Sequence, residues 1–279
     1  MNIYLIKRDS FGNSNRMLVK NLETNYPAGE IGLLLEPIEM GDDGYRTLEV
    51  EAWLYTANDI LILMTLLNSE YGPYIERLDI KYLGFSRQDK EKIVRKGEHN
   101  YVYQEMIMSK VVLDMILGNV NENTQVFILD PHSLEIDIES YAMEHYGKFC
   151  TTVAPDNLFP EEDFDAIIFP DKGAYDRYRF LNFGNTRDAI IFHKHRDQNG
   201  KIESYGPVYP DMIKPKGKYL VIDDICDGGA TFIHLYDSLK EFGWDGEIYL
   251  QVTHGLYTKG QDELRKRYND IREMTLMPK

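Results

Sequence analysis

Short apolar runs that end in polar or turn residues recur along the chain, and each has the length of a single buried strand. This pattern predicts strands in the segments 78–86, 124–132, 165–171, 188–194, 218–224 and 246–254. Several of these runs end in acidic residues or histidine. Catalytic or ligand-binding residues are therefore expected at the ends of the predicted strands.

Segments with helical spacing lie between these runs. In the segment 231–243 the large apolar residues fall on one face of a helix, and Gly243 is typical of a C-terminal stop. The segments 58–69 and 104–118 are also predicted helices. Strands that alternate with helices form βαβ units, so the chain is predicted to be an α/β protein with mainly parallel sheets.

One segment interrupts the alternation of strands and helices. Residues 146–163 contain two prolines and a cluster of acids, which is typical of a junction between domains. We therefore expect two domains, comprising residues 1–145 and 146–279.

Composition narrows the range of partners. The 279 residues include 31 Lys and Arg against 46 Asp and Glu, a net charge of −15, which argues against nucleic acid or an anionic membrane as the main partner. Cys150 and Cys226 are too few for a disulfide framework or a structural zinc site. Lys7 and Arg8 stand where a secretory leader would have its apolar core. No apolar run is long enough to span a membrane, so a cytoplasmic location is expected.

The stretch KYLVIDDICDGGATF, residues 218–232, carries the strongest chemical signal. Asp223 and Asp224 end an apolar strand, and Gly228 with Gly229 permits a tight turn into a helix from about Thr231. Ligands of open α/β sheets bind at the carboxyl ends of the strands, and a helix N-terminus holds phosphate well. The acids suit sugar hydroxyls or Mg²⁺, so a phosphorylated sugar fits the motif. The alternative is a strand–turn–helix corner in which the acids only cap the helix.

This stretch resembles the phosphate loop of type I phosphoribosyltransferases and of ribose-phosphate diphosphokinases. Further segments resemble the second family in its order along the chain: LGFSRQDK (83–90), LDPHSLEI (129–136), APDNLFP (154–160), FPDKGAYDR (169–177), HKHR (193–196) and THGLYTKG (253–260). The resemblance implies two related type I phosphoribosyltransferase-like domains, each a mainly parallel sheet flanked by helices. The N-terminal domain would contact ATP and the C-terminal domain would bind the sugar phosphate.

The family transfers the diphosphate of ATP to the anomeric hydroxyl of ribose 5-phosphate and releases AMP, with Mg²⁺ as cofactor. By resemblance, Lys194 and Arg196 are the catalytic residues, one residue apart on a loop at a strand end. The expected ATP contacts are Tyr26, Glu30, Arg87, Gln88 and Asp89. The expected sugar-phosphate contacts are Asp171, Asp223, Asp224, Asp227, Gly228, Gly229, Ala230 and Thr231. The expected metal ligands are His132, Asp130 and Asp171. The family also implies a homo-oligomer.

Three departures from the family pattern bear on the substrates. Ala28 stands where the family has a nucleotide-contacting acid, and Lys92 stands where a second acid is expected. Gly228 replaces a threonine of the phosphate loop, which removes a hydroxyl donor and opens space for an esterified phosphate. A phage-type relative of the family acts on ADP-ribose for NAD salvage, so ribose 5-phosphate and ADP-ribose are both expected acceptors.

Two other classes remain as alternatives. A salvage phosphoribosyltransferase, which consumes the sugar diphosphate, would share residues 218–232 but would not need the ATP-contacting segments. A non-catalytic regulatory relative would account for Ala28 and Lys92, although retention of Lys194, Arg196 and the acids favours an enzyme.

Overall fold

The structure of the chain is a computed structural model, which describes residues 3–8, 14–19, 48–86, 93–96, 101–104, 108–132, 137–159, 162–183, 186, 188–196 and 202–275. The chain divides into two compact units, Met1–Ala154 and Pro155–Lys279. The division lies downstream of the boundary between residues 145 and 146 that the sequence suggests, because the strand Cys150–Val153 pairs with the first sheet. The division still falls inside the segment 146–163.

The first unit is built on a six-stranded sheet. Its elements are β1 (Ile3–Arg8), β2 (Ser14–Leu18), β3 (Leu48–Leu54), α1 (Ala57–Leu67), β4 (Ile75–Leu83), β5 (Ile93–Lys96), β6 (Tyr101–Gln104), α2 (Met108–Asn119), β7 (Gln125–Leu129), α3 (Ile138–Tyr146) and β8 (Cys150–Val153). The sheet order is β2-β1-β3-β4-β7-β8, and β3, β4, β7 and β8 are parallel. Strands β5 and β6 form a separate antiparallel pair.

Apolar burial explains this arrangement. The central strands have fully buried side chains such as Val50, Ile80 and Ile128, as expected for parallel strands covered on both faces. Helix α1 begins with a capping box, in which the Thr56 side chain accepts from the Asp59 amide and the Asp59 side chain accepts from the Thr56 amide.

The second unit repeats this design. Its elements are β9 (Ala166–Phe169), α4 (Lys172–Tyr178), β10 (Ala189–Arg196), β11 (Ile202–Pro207), β12 (Lys218–Cys226), α5 (Ala230–Glu241), β13 (Glu247–Gly255), α6 (Asp262–Arg265) and β14 (Asp270–Glu273). The sheet order is β11-β10-β9-β12-β13-β14, parallel except for the β10–β11 hairpin. The carboxyl ends of β10, β9, β12 and β13 therefore lie along one edge of the sheet.

Helix α5 closes one face of this second sheet. Its apolar residues Phe232, Leu235 and Leu239 are buried, as the helical spacing predicts. The indole of Trp244 packs in the same cluster and donates to the Gly217 carbonyl oxygen at 2.8 Å. This bond satisfies a buried polar group beside the start of β12.

The six predicted strands and three predicted helices are all present, and the predicted α/β class with mainly parallel sheets is confirmed. Short elements such as β8, β14 and α4 lack a strong periodic signal and were not predicted. In the part of the chain that the structure describes, no helix is both long and apolar enough to cross a membrane.

The end of β4 gives a test of this packing. A Cβ atom at Gly84 would lie 2.0 Å from the Leu54 carbonyl oxygen, so Gly84→Ala forces β3 and β4 apart. We expect the first unit to lose about 1–3 kcal/mol of stability. Urea unfolding in a Trp244→Phe background, where Trp53 is the remaining tryptophan, measures this loss.

Gly118→Ala is the matched control for Gly84→Ala. Its added Cβ meets the Tyr146 ring at an ordinary 3.7 Å, and alanine favours the helix interior by about 0.5–1 kcal/mol. The control should therefore unfold at the same or a higher urea concentration. Equal midpoints for Gly84→Ala and the wild-type chain would contradict the close approach of Gly84 to Leu54.

Candidate active site

Three of the predicted acids meet at the carboxyl edge of the second sheet. Strands β9 and β12 are parallel neighbours, so the residues that follow β9 lie beside the end of β12. Asp171 follows β9 and caps α4 by accepting from the Ala174 amide at 3.1 Å. Asp223 and Asp224 lie three and two residues before β12 ends at Cys226, and Asp224 is buried. The sheet topology thus assembles the acids that the sequence singled out.

The Asp223 carboxyl group is the most perturbed of these acids. Removal from water raises its pKa well above the usual range, and the negative charges of Asp224 and Asp171 raise it further. Its Oδ1 atom accepts from the Asp224 amide at 3.0 Å, which offsets the rise only in part. A group that donates hydrogen bonds, or a cation, would relieve this crowding of negative charge. Sugar hydroxyls meet that need.

The predicted phosphate loop, residues 227–231, joins β12 to α5. Gly229 adopts a left-handed φ of 76° and stands at the N-cap of α5. The N-cap residue is a glycine, so it has no side chain that could accept a hydrogen bond from the first amides of the helix. Such an end carries partial positive charge and is suited to a phosphate group. The predicted glycine turn and helix start are therefore both present.

Asp227 joins this loop to the segment 256–260, which we call the neighbouring loop. The Asp227 carboxylate accepts from the Thr258 hydroxyl at 2.7 Å, and its carbonyl oxygen accepts from the Thr258 amide at 3.1 Å. The amides of Leu256 and Tyr257 donate to the Cys226 carbonyl oxygen at 2.9 and 3.1 Å. Two hydrogen bonds consequently join the two loops, and two more tie the neighbouring loop to the end of β12. Asp227 therefore has a structural role in addition to any binding role.

In the first unit, Asp130 and His132 follow β7 as predicted. Asp130 is buried, adopts a positive φ of 38°, and donates its amide to the Val153 carbonyl oxygen at 2.9 Å. His132 is half-buried two residues further on. These residues turn the chain sharply at the carboxyl edge of the first sheet, and their metal-binding role stays a prediction.

The donor chemistry of the predicted metal ligands fits Mg²⁺ in part. Carboxylate oxygens such as those of Asp130 and Asp171 suit a hard cation, whereas the His132 imidazole is a less usual ligand. Within the described ranges, no group of three or more His, Cys, Asp or Glu side chains is arranged to hold a metal ion. Mg²⁺ needs only one or two protein carboxylates when substrate phosphates complete its shell.

Lys194 and Arg196 lie in strand β10, whereas the sequence suggests a loop. The strand continues to Arg196 because β11 pairs with it, with Lys194 opposite Tyr205 and a register shift between His195 and Arg196. Pairing with β9 ends at Ile191, so the backbone at Lys194 runs about 10 Å past the end of β9 at ~3.3 Å per residue. Both residues thus belong to a hairpin that extends beyond the carboxyl edge.

The predicted ATP contacts Tyr26, Glu30, Arg87, Gln88 and Asp89 lie outside the described residues, as do the departures Ala28 and Lys92. The chain is described up to Ser86, which is buried, and Phe85 before it has a positive φ of 66°. The turn that leads into this segment is therefore part of the described fold.

Tyr205 is a site residue that the sequence analysis missed. Its hydroxyl donates to the Pro170 carbonyl oxygen at 3.0 Å, just before Asp171. Burial raises the pKa of the Tyr205 phenol well above its usual value, and the charges of Asp171 and Asp223 add to the rise. The phenol therefore stays protonated beside the acids. The only signal for it in the sequence was a tyrosine in a weak strand, which could not be separated from an ordinary core residue.

Comparison with known proteins supports the resemblance seen in the sequence. A Lactococcus lactis protein named as a ribose-phosphate pyrophosphokinase is 26% identical over 200 residues, which cover 70% of this chain and 56% of that protein. A ribose-phosphate pyrophosphokinase of Mycoplasmopsis pulmonis is 24% identical over 242 residues, covering 79% of this chain and 70% of that protein. No model of a known protein family matches the chain.

A solved structure gives the same result for the fold. The crystal structure of phosphoribosylpyrophosphate synthetase from Mycobacterium smegmatis aligns with a TM-score of 0.63 at 17% identity, over 92% of this chain and 80% of that one. The chain thus has the expected fold of type I phosphoribosyltransferase-like domains. Its sequence is similar, at 24–26% identity, to proteins named ribose-phosphate pyrophosphokinases, and its alignment spans just over half of the Lactococcus lactis protein.

The raised pKa of Asp223 predicts a pH-dependent stability. A carboxyl group whose pKa is raised by folding stabilises the folded state below the unfolded pKa of about 4, and this contribution is lost as the pH rises through the folded pKa. Asp223→Asn should therefore gain Tm relative to wild type as the pH rises from 5 to 8. Thermal unfolding in EDTA measures the difference.

Asp245→Asn is the control for the pH experiment. Lys216 and Lys240 lower the pKa of Asp245 to about 2, so its contribution is fully present above pH 4 and is lost only toward pH 2. The effect of Asp245→Asn should stay constant between pH 5 and 8. A constant effect for Asp223→Asn as well would contradict the crowded, desolvated position of its carboxyl group.

Proposed function

We propose that the chain is a diphosphokinase that transfers the diphosphate of ATP to the anomeric C1 hydroxyl of a ribose 5-phosphate group and releases AMP. The observation that carries the proposal is the cluster of Asp171, Asp223 and Asp224 beside the N-terminus of α5, where the N-cap residue is a glycine. The cluster suits ribose hydroxyls and the helix end suits a phosphate. The similarity to ribose-phosphate pyrophosphokinases supports the same function.

On the acceptor side, each group has a separate task. Asp223 and Asp224 accept hydrogen bonds from the ribose hydroxyls. These hydrogen bonds offset the repulsion between the two carboxylates. The N–H groups at Ala230 and Thr231, with Gly228 and Gly229, hold the 5′-phosphate. Asp227 keeps the loop in shape through Thr258. Together these contacts fix the direction in which the C1 hydroxyl points.

The reaction is a displacement at the β-phosphorus of ATP. The C1 oxygen of the sugar forms the new bond to that phosphorus, and the bond to the oxygen bridging the α- and β-phosphorus breaks. AMP leaves with that oxygen, and the hydroxyl proton passes to solvent. Such a transfer needs alignment and positive charge more than covalent chemistry. Asp130, His132 and Asp171 are the residues proposed to hold Mg²⁺, which would supply part of that charge when bound.

Lys194 and Arg196 would supply further positive charge. Their hairpin extends past the end of β9, the strand that Asp171 follows, so it belongs to the same edge of the second sheet. Tyr26, Glu30, Arg87, Gln88 and Asp89 would contact ATP, as in the related family. Arg87 is suited to this role because a guanidinium both stacks on adenine and pairs with phosphate.

The acceptor is proposed to be ADP-ribose, with ribose 5-phosphate as the alternative. Gly228 lacks the hydroxyl that a threonine would give to a terminal phosphate. A terminal phosphate monoester is dianionic and profits from every donor, whereas an esterified phosphate has fewer free oxygens and needs room. The product would then serve NAD salvage, whereas ribose 5-phosphate would lead to general nucleotide synthesis. Like the family, the enzyme would be cytoplasmic and a homo-oligomer.

Product analysis tests the proposal. Incubation with ATP, Mg²⁺ and each acceptor should release AMP, with kcat/KM higher for ADP-ribose, and a reaction without acceptor gives the background. A preference for ribose 5-phosphate would refute the ADP-ribose assignment and leave the diphosphokinase. Absence of AMP with both acceptors, with consumption of phosphoribosyl diphosphate and a nucleobase, would indicate a phosphoribosyltransferase. Ligand binding with no turnover would indicate a regulatory relative.

The catalytic assignment predicts a separation of kinetic constants. Lys194→Ala and Arg196→Ala should each lower kcat by about 10²–10³-fold, the effect of removing one electrostatic donor, with smaller changes in KM. Steady-state rates at saturating ATP and acceptor measure this. Lys216→Ala, an exposed lysine before β12, is the control and should retain wild-type kcat. Unchanged kcat in both hairpin variants would mean that these residues are merely solvated.

A further inference from the structure

The space beside Gly228 is occupied by a lysine. A Cβ atom at Gly228 would have the Cδ, Cε and Cγ atoms of Lys259 as its three nearest neighbours, at 3.4, 3.5 and 3.7 Å. The φ of Gly228 is not in the left-handed region, so the backbone does not require glycine here. The stem of Lys259 thus lies where a side chain at position 228 would project.

Lys259 is held there by the neighbouring loop. Thr258 is fixed on Asp227 by two hydrogen bonds, at 2.7 and 3.1 Å, and the Gly260 amide donates to the Tyr257 carbonyl oxygen at 2.7 Å. Gly260 has a left-handed φ of 75°, which closes the loop directly after Lys259. The position of Lys259 is therefore set by the backbone, although its side chain is exposed.

The positive charge of Lys259 would favour an anionic ligand at the phosphate loop. The phosphate loop follows the acids Asp223 and Asp224 and contains Asp227, so an anionic ligand meets local repulsion. A helix N-terminus offers about half a unit of positive charge. Lys259 offers a full unit, and its ammonium group has no ion pair or side-chain hydrogen bond among the described residues. The sequence THGLYTKG also has this lysine as an extra residue relative to Thr-His-Gly-Leu-Phe-Ser-Gly.

We propose that Lys259 is a phosphate-binding residue of the acceptor site, whose ammonium group takes over the task of the hydroxyl that is missing at Gly228. A lysine is a point charge on a flexible stem, so the stem can move aside for an esterified phosphate while the ammonium group still pairs with its remaining oxygens. The exchange replaces a hydroxyl donor that suits a terminal phosphate with a charge that also suits an esterified one. This inference rests on the proposed function for the identity of the acceptor.

The variant Lys259→Met separates charge from packing, because it keeps a stem over Gly228 and removes the ammonium group. We expect KM for the acceptor to rise about tenfold or more, with KM for ATP and kcat within about twofold of wild type. The difference should shrink at 0.5 M KCl, since an exposed charge is screened. Lys216→Met removes one charge near the opposite end of β12 and should behave as wild type. A wild-type acceptor KM in Lys259→Met overturns the proposal.

A double-mutant cycle tests the exchange between the two positions. Gly228→Thr alone brings a threonine against the Lys259 stem, whereas in Lys259→Ala the same threonine enters empty space and restores a hydroxyl donor. Acceptor KM should therefore recover in Gly228→Thr/Lys259→Ala relative to Lys259→Ala. Strictly additive effects would show that the residues do not share a task and would overturn the proposal.

Ligand-induced stabilisation makes the result independent of turnover. The Tm of the wild-type chain should rise with ribose 5-phosphate or ADP-ribose but not with ribose, and Lys259→Met should lose most of this rise. Stabilisation of this kind without AMP formation would refute the proposed reaction and leave the role of Lys259 intact. AMP formation by the wild-type chain, with the full rise in Tm retained in Lys259→Met, would support the proposed reaction and refute the role of Lys259. No stabilisation of wild type by either phosphorylated ligand would also overturn the proposal.

Discussion

The parallel pairing of β9 with β12 is the constraint on which the candidate site depends. Three register positions, from Tyr219 opposite Ala166 to Val221 opposite Ile168, fix where both strands end. Asp171 and Asp223 are 52 residues apart in numbering, yet this pairing makes them neighbours. A slip of one residue would reverse the faces of the strand and separate the acids. The apolar core of the sheet therefore sets the electrostatics at its edge.

The acids illustrate how the fold bears a local cost for binding. Burial and two neighbouring carboxylates make Asp223 a poor residue for stability, and its amide contact with Asp224 compensates only in part. A strand end that served only as a turn would not need this arrangement, because a single carboxylate suffices to cap a helix, as Asp171 does at α4. Crowded charge that a ligand can relieve is typical of a binding site. The apolar packing of the buried strands beneath the site offsets this loss of stability.

The sequence predicted the parts of the fold that long apolar runs determine. The runs that became β12 and β13 and the helical face of α5 are strong signals because they are buried on continuous surfaces. The short elements β8 and β14 were missed because four residues carry little periodicity. The strand at 188–194 was predicted, but its continuation to Arg196 was taken for a loop and β11 was missed. The polar residues of this hairpin depend on a partner strand for their backbone hydrogen bonds, and pairing of that kind is not visible in a local pattern.

Within the site, motif residues were predictable and supporting residues were not. Asp171, Asp223 and Gly229 stand in recognisable contexts, while Tyr205 and Lys259 reach the site from other segments and matter only through proximity.

The contact between Lys259 and Gly228 has an evolutionary consequence. An added Cβ at position 228 stands in contact with the Lys259 stem, so a larger side chain there would displace that stem. Among descendants of a common ancestor, these two positions should therefore change as a pair, with glycine beside lysine and a hydroxyl residue beside a small one.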